Sequence, residues 1–161
     1  MAYFGGHLGN YYLILFFPDV FSYELFEMDV SRGGSNMHYE TDYESHYGRK
    51  DYAENTVGGY YAARLAVLEK LRELRKQASV LCLRFVTSDY HTPLGVWVVR
   101  NATRNSLKSK PLEFSSKELM LQYAKKVAGI KFGVDIDIIL NESKLLNQQK
   151  TQSKLNAFVQ L

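Results

Sequence analysis

A glycine pair that opens a helix, with arginines spaced to reach it, is the part of this chain best suited to hold an anion. Gly58-Gly59-Tyr60-Tyr61-Ala62-Ala63-Arg64 begins a periodic segment. A helix start leaves free N–H groups and the positive end of the helix dipole converging on one place. Arg64 falls one turn further in. Arg84, set between Leu83 and Phe85, and then Arg100 and Arg104, supply guanidinium groups that match phosphate oxygens in pairs. Gly58, Gly59, Tyr60, Tyr61, Arg64, Arg84, Arg100 and Arg104 thus form the candidate ligand or DNA surface. The alternative is that the glycines only turn the chain and the arginines pair with acids such as Glu69 or Glu113. Tyr60 and Tyr61 point to different sides of a helix, so the exposed one is the candidate for stacking on a base. Trp97, in a valine-rich run, fits either a core or a stacking role.

A second group of residues points to a protein partner. Gln152-Ser153-Lys154-Leu155-Asn156-Ala157-Phe158-Val159 reads Q-x-x-L-x-x-F-V, the pattern of a peptide that plugs into a sliding clamp (PCNA). One helical turn places Leu155 and Phe158 on one face, extended by Val159, to enter an apolar groove. The Gln152 amide carries both donors and an acceptor for the rim of the groove. A second aromatic residue is usual where Val159 stands. The preceding Gln/Asn/Lys stretch reads as a flexible linker.

Catalytic signatures are sparse. There is no phosphate-loop lysine motif, no G-x-S-x-G, no H-E-x-x-H, and no regular metal spacing among His7, His38, His46 and His91. Asp135 and Asp137 share one face if they lie in a strand, and fit either a divalent ion or a solvent-facing stripe. Whether the chain is an enzyme, and with what cofactor, stays open at this point. An enzyme acting on nucleotides or nucleic acid at the glycine–arginine site and a non-catalytic adaptor are the two alternatives to a clamp-recruited protein with a ligand or DNA surface.

These side chains need elements to position them. Tyr11 to Phe17 is an unbroken apolar run that stops at Pro18, as expected of a central strand. Phe21 to Met28 reads as one or two helical turns, and Ser31 to Lys50, with Gly33-Gly34, as a long loop. Leu65, Leu68, Leu71 and Leu74 predict a long amphipathic helix over Tyr60 to Ala78. Ser79 to Val86 and Leu94 to Arg100, joined by a polar connection, predict a β-hairpin. Ser115 or Ser116 caps a helix running to about Ala128, with Gly129 just past its end. Alternation over Val134 to Leu140 predicts a last strand. The expectation is an α+β fold: one mixed α/β domain over residues 1–140 with a central, mostly antiparallel sheet, then a flexible linker and clamp-binding peptide over 141–161.

The 161 residues, 46% of them apolar and 14% aromatic, suffice for a real core, so disorder is not the default. The net charge of +3 permits nucleic-acid contact without demanding it. Acids dominate from Asp19 to Glu54 and bases from Arg64 through Lys154, so the second half is better placed to meet phosphate. The single cysteine, Cys82, rules out an internal disulfide and fits a reducing, cytoplasmic setting. The run over 11–17 is too short to span a membrane.

The segments V-G-G-Y-Y-A-A-R-L-A-V-L-E (Val57 to Glu69), K-Q-A-S-V-L (Lys76 to Leu81) and P-L-G-V-W-V-V-R (Pro93 to Arg100) resemble the archaeal Nre family of DNA repair proteins. L-G-N-Y-Y-L-I-L and F-S-Y-E-L-F upstream resemble it too. The resemblance implies a role in DNA repair and a C-terminal clamp-binding peptide, matched here by Gln152, Leu155, Phe158 and Val159. Larger members begin with a cysteine-rich segment, so the chain looks like the C-terminal portion of such a protein or a reduced member. Where the family tends to show R-E, this chain has Arg84-Phe85 and Arg100-Asn101. If those acids serve chemistry, activity suffers here; if they are salt-bridge partners, stability does.

Overall fold

The computed structural model describes residues 1–31, 37–91 and 94–151, so Gly33-Gly34, Pro93 and the peptide Gln152, Leu155, Phe158 and Val159 lie outside the described residues. In chain order the elements are β1 (Ala2–His7), β2 (Asn10–Phe17), β3 (Ser22–Asp29), β4 (His38–Glu44), α1 (Val57–Leu74), β5 (Ser79–Val86), α2 (Val96–Lys108), α3 (Lys117–Phe132), α4 (Asp137–Glu142) and α5 (Lys144–Thr151). The sheet order is β1-β2-β5-β3-β4. Every neighbouring pair is antiparallel except β5 and β3, which run parallel. This is the expected mixed α/β domain with a mostly antiparallel sheet.

Strands β2 and β5 are apolar on both faces because both faces are covered. Tyr12, Ile14, Val80 and Cys82 pack under α1 and α2 with Ala63, Val67, Val99 and Ala102. Leu13, Leu15, Leu81 and Leu83 pack on the opposite face with Met120, Ala124, Val127 and Ile139 from α3 and α4. The result is a sheet between two helical layers.

Four local expectations are corrected. Leu94 to Arg100 is not a hairpin strand: from Val96 it is α2, whose buried positions Val98, Val99, Ala102, Thr103, Ser106 and Leu107 keep helical spacing well past Arg100. The valine run imitates a strand only in a short window. Phe21 to Met28 is not helical but holds β3, whose acids Glu24 and Glu27 are held by tertiary partners. The supposed loop after Ser31 contains β4, a polar edge strand. Val134 to Leu140 ends in α4, with the Asp137 N–H donating to Asp135 Oδ1 at 2.8 Å.

The helix capped by Ser116 is observed, its hydroxyl accepting from Leu119 N, but it runs through Gly129 to Phe132 and ends at Gly133 with φ 68°. The linker expected from Asn141 is helical as far as Thr151, with Leu145 and Leu146 buried. Glu24 pins it. Its carboxylate accepts from Ser143 Oγ at 2.5 Å, Lys144 N at 2.9 Å and Leu145 N at 3.1 Å, satisfying the first donors of α5.

Candidate functional site at the start of helix α1

Helix α1 begins where the sheet ties it down. The Asp42 carboxylate, on β4, accepts from Thr56 N at 2.7 Å, Thr56 Oγ1 at 2.9 Å and Asn55 N at 3.0 Å, and Arg49 Nη1 lies 3.3 Å from its other oxygen. Burial pushes the Asp42 pKa up, but these donors and the Arg49 charge outweigh it and hold the group below the ordinary aspartate value. α2 starts beside α1: a Cβ on Gly58 would lie 2.7 Å from Val96 Cγ1. Both helix starts sit at the carboxyl ends of the parallel strands β3 and β5, the place where α/β sheets commonly open a crevice.

In this structure the space beneath the helix starts is filled by a buried polar set contributed by three strands. Arg84 Nη1 donates to Glu27 Oε1 at 2.6 Å, and its Nε and Nη2 donate to Asn10 Oδ1 at 3.0 and 2.5 Å. The Arg84 side chain is 9% exposed and that of Glu27 20%. Burial disfavours the Arg84 charge, but the neighbouring Tyr12 and Glu27 more than compensate and raise its pKa. Gly59 makes room for this pair, since a Cβ there would lie 2.1 Å from Glu27 Oε1. The anion lodged at the start of α1 is therefore the protein's own Glu27 carboxylate.

The sequence-derived candidates divide accordingly. Gly58, Gly59 and Arg84 are brought together. Arg64 pairs with Glu44 at 2.8 Å and Arg104 with Glu69 at 2.6 Å, on α1's flanks. Arg100 Nε makes no hydrogen bond among the described residues. Tyr60 is fully buried against the ring of Tyr23. Tyr61 accepts from Ala53 N at 2.9 Å and faces Tyr52, with ring centroids 4.4 Å apart at 35°. Trp97 is not in the core but half exposed at the start of α2. Asp137 pairs with Lys125 at 2.5 Å.

Sequence reading missed Glu27, Asn10, Tyr52 and Arg49. An arginine inside an apolar strand signals that an acid must lie near on the same face, but not which strand supplies it. Tyr52, 67% exposed, joins Tyr61, Arg49, Lys50 and Arg64, with the acids Glu44 and Asp51, around an open cleft of about 430 Å³. A paired-ring surface beside cations can stack a base and meet a phosphate. Among the described residues, no group of three or more His, Cys, Asp or Glu side chains is placed to hold a metal, and no helix is long and apolar enough to cross a membrane.

Residues 44–158 match the family described as archaeal Nre, C-terminal. The chain belongs to the archaeal Nre family. A DNA repair protein NreA of Archaeoglobus fulgidus is 42% identical over 113 residues, which is 68% of this chain and 29% of that protein. The NreA of Haloferax volcanii is 34% identical over 109 residues, 64% of this chain and 26% of that protein. A DNA repair protein NreB of Archaeoglobus fulgidus is 37% identical over 94 residues, 58% of this chain and 24% of that protein. The chain spans under a third of the length of the Nre relatives it matches. No solved structure matches it. The Nre match takes in α1, both helix starts and the Tyr52–Tyr61 cleft.

Proposed function

We propose that this Nre chain serves DNA repair in the cytoplasm, recruited to DNA by the sliding clamp (PCNA) through Gln152, Leu155, Phe158 and Val159, with a nucleic-acid surface on its globular body. The observation that carries this reading is positional. The Q-x-x-L-x-x-F spacing falls inside the family match, which runs to residue 158. The relatives' names supply the repair role. The peptide begins immediately after α5, whose first turn is fastened to β3 through Glu24. The reading assigns recruitment and DNA contact, and no reaction.

Calorimetry of the intact chain and of Leu155→Ala/Phe158→Ala against the clamp tests it. Removing two apolar anchors from such an interface costs at least tenfold in affinity, since anchors of this kind are each worth about 2 kcal/mol or more. Equal affinity of the two proteins for the clamp sinks the recruitment reading.

A further inference from the structure

We infer that single-stranded DNA lies along the outer face of α1, from the Tyr52–Tyr61 cleft to the region of Lys117. The inference rests on the DNA-repair reading above for its choice of ligand, and its geometry stands apart from the clamp peptide. Tyr61, Arg64, Leu68, Arg72 and Arg75 recur at helical spacing on one face of α1, a stripe of about 20 Å at 1.5 Å per residue. The cleft of about 430 Å³ lies at one end. The Arg64 guanidinium lies 5.5 Å over the ring of Phe21 and so joins that cleft to a second depression of about 460 Å³, where Phe21 meets Arg72, Arg75 and Lys76. A third depression of about 260 Å³ shares Leu71 and Lys76 with the second and brings in Phe16 and Phe114. A fourth of about 280 Å³ shares Phe114 with the third and reaches Lys117.

Each depression carries at least one ring and at least one cation, and each is linked to the next; acids also line the first (Glu44, Asp51), the third (Glu113) and the fourth (Asp19), so the second, with Arg72, Arg75 and Lys76 and no acid, is the most cationic stretch. That alternation is the chemistry of a single-stranded polynucleotide, with bases entering beside rings and phosphates meeting cations. A duplex, whose bases are stacked and paired, offers phosphates to the cations and nothing to the concave apolar stretches. Arg72, Arg75 and Lys76 form no ion pair among the described residues, so their charge is available. Arg75 also holds the left-handed C-cap of α1 at φ 51°, where glycine is the usual residue. The chain keeps a cation at that position at the expense of local conformation.

The test is fluorescence anisotropy of a labelled oligo(dT), and of a duplex of equal length, across a salt series. Arg72→Glu/Arg75→Glu/Lys76→Glu is compared with Lys125→Glu/Lys126→Glu/Lys131→Glu on α3, which changes net charge equally. The wild type is expected to prefer the single strand. The α1 triple should lose at least about tenfold in affinity, with the slope of log K against log salt shallower by about two, three phosphate contacts at about 0.7 each. The α3 triple and Leu155→Ala/Phe158→Ala should bind oligo(dT) within about twofold of wild type, because only local charge and stacking are asked to matter. Arg75→Gly guards against misfolding as the explanation, because it relieves the left-handed cap and should raise thermal stability while lowering affinity. Absence of binding by the wild type, equal affinity for duplex, or equal loss in both triples overturns the track. Loss of clamp binding in the tail variant with oligo(dT) binding retained keeps the two readings separate.

Discussion

Gly59→Ala is the sharpest test of the ion pair packed beneath α1, because general propensity and this structure demand opposite signs. Within a helix the change ordinarily stabilises by about 0.5–1 kcal/mol. Here the new Cβ would lie 2.1 Å from Glu27 Oε1 and 3.3 Å from Arg84 Nη1. Glu27 is flexible and could swing aside, but it is held by Arg84 at 2.6 Å. Breaking a buried ion pair by removing one partner costs about 3–5 kcal/mol. Arg84 would keep Asn10, and Glu27 is partly solvated, which discounts that to about 1.5–3 kcal/mol. The net expectation is a loss of about 1–2 kcal/mol in urea unfolding followed by circular dichroism, or roughly 2–8 °C in Tm for a chain of this size. In a Glu27→Ala background the remaining close contact is Arg84 Nη1 at 3.3 Å, the end of a flexible side chain that can give way, so the same change should stabilise by up to about 0.5–1 kcal/mol, giving a coupling near 2 kcal/mol in the double-mutant cycle. Gly58→Ala is the control. Its Cβ meets only the half-exposed Val96, which can turn away, so stability should stay within about 0.5 kcal/mol of wild type or rise. A Gly59→Ala protein as stable as wild type, or the same effect in both backgrounds, refutes the reasoning.

Other consequences concern the ties between sheet and helices. Glu24→Ala leaves the donors at the start of α5 without their acceptor, so a loss of about 2–3 kcal/mol is expected. Faster amide exchange over Lys144–Thr151, with α1 unchanged, would locate the effect; unchanged exchange in α5 would contradict the pinning role. Burial raises the Glu24 pKa despite those bonds. The native state then holds that proton more tightly than the unfolded chain does. Glu24's contribution is full below the ordinary glutamate value near 4.3 and is lost as pH rises through the raised folded value, a stretch of pH dependence that Glu24→Gln should remove. Asp42 has the opposite sign. Held below the ordinary value near 3.9, it contributes fully above that pH and loses the contribution as pH falls through the folded value, so Asp42→Asn should flatten the acid limb of a urea-midpoint profile.

What the sequence determined by itself is what depends on neighbours a few residues away. The run over 11–17 had to be a doubly covered strand and Ser116 had to start a helix, because each is written in a local period or a local hydrogen bond. The helix over α1 was legible too, but not its buried face: Tyr60, Ala63, Ala66, Val67 and Leu71 meet the sheet, while Leu65, expected in the apolar stripe, is exposed. The family signature across Val57 to Arg100 was equally legible, being a matter of order along the chain. Only tertiary structure decided that β5 enters between β2 and β3, and that choice assembled the buried polar set beneath α1. It placed Arg84 opposite Tyr12 on one side and Glu27 on the other, residues 72 and 57 positions away. It also settled Phe21 to Met28 as a strand, since Glu24 and Glu27 are tolerable inside a sheet only once Ser143 with the start of α5, and Arg84, arrive to satisfy them. The physical reason is the same in each case. The cost of burying a charged group is fixed by its type, but the compensation comes from a partner whose distance in space bears no relation to its distance in sequence.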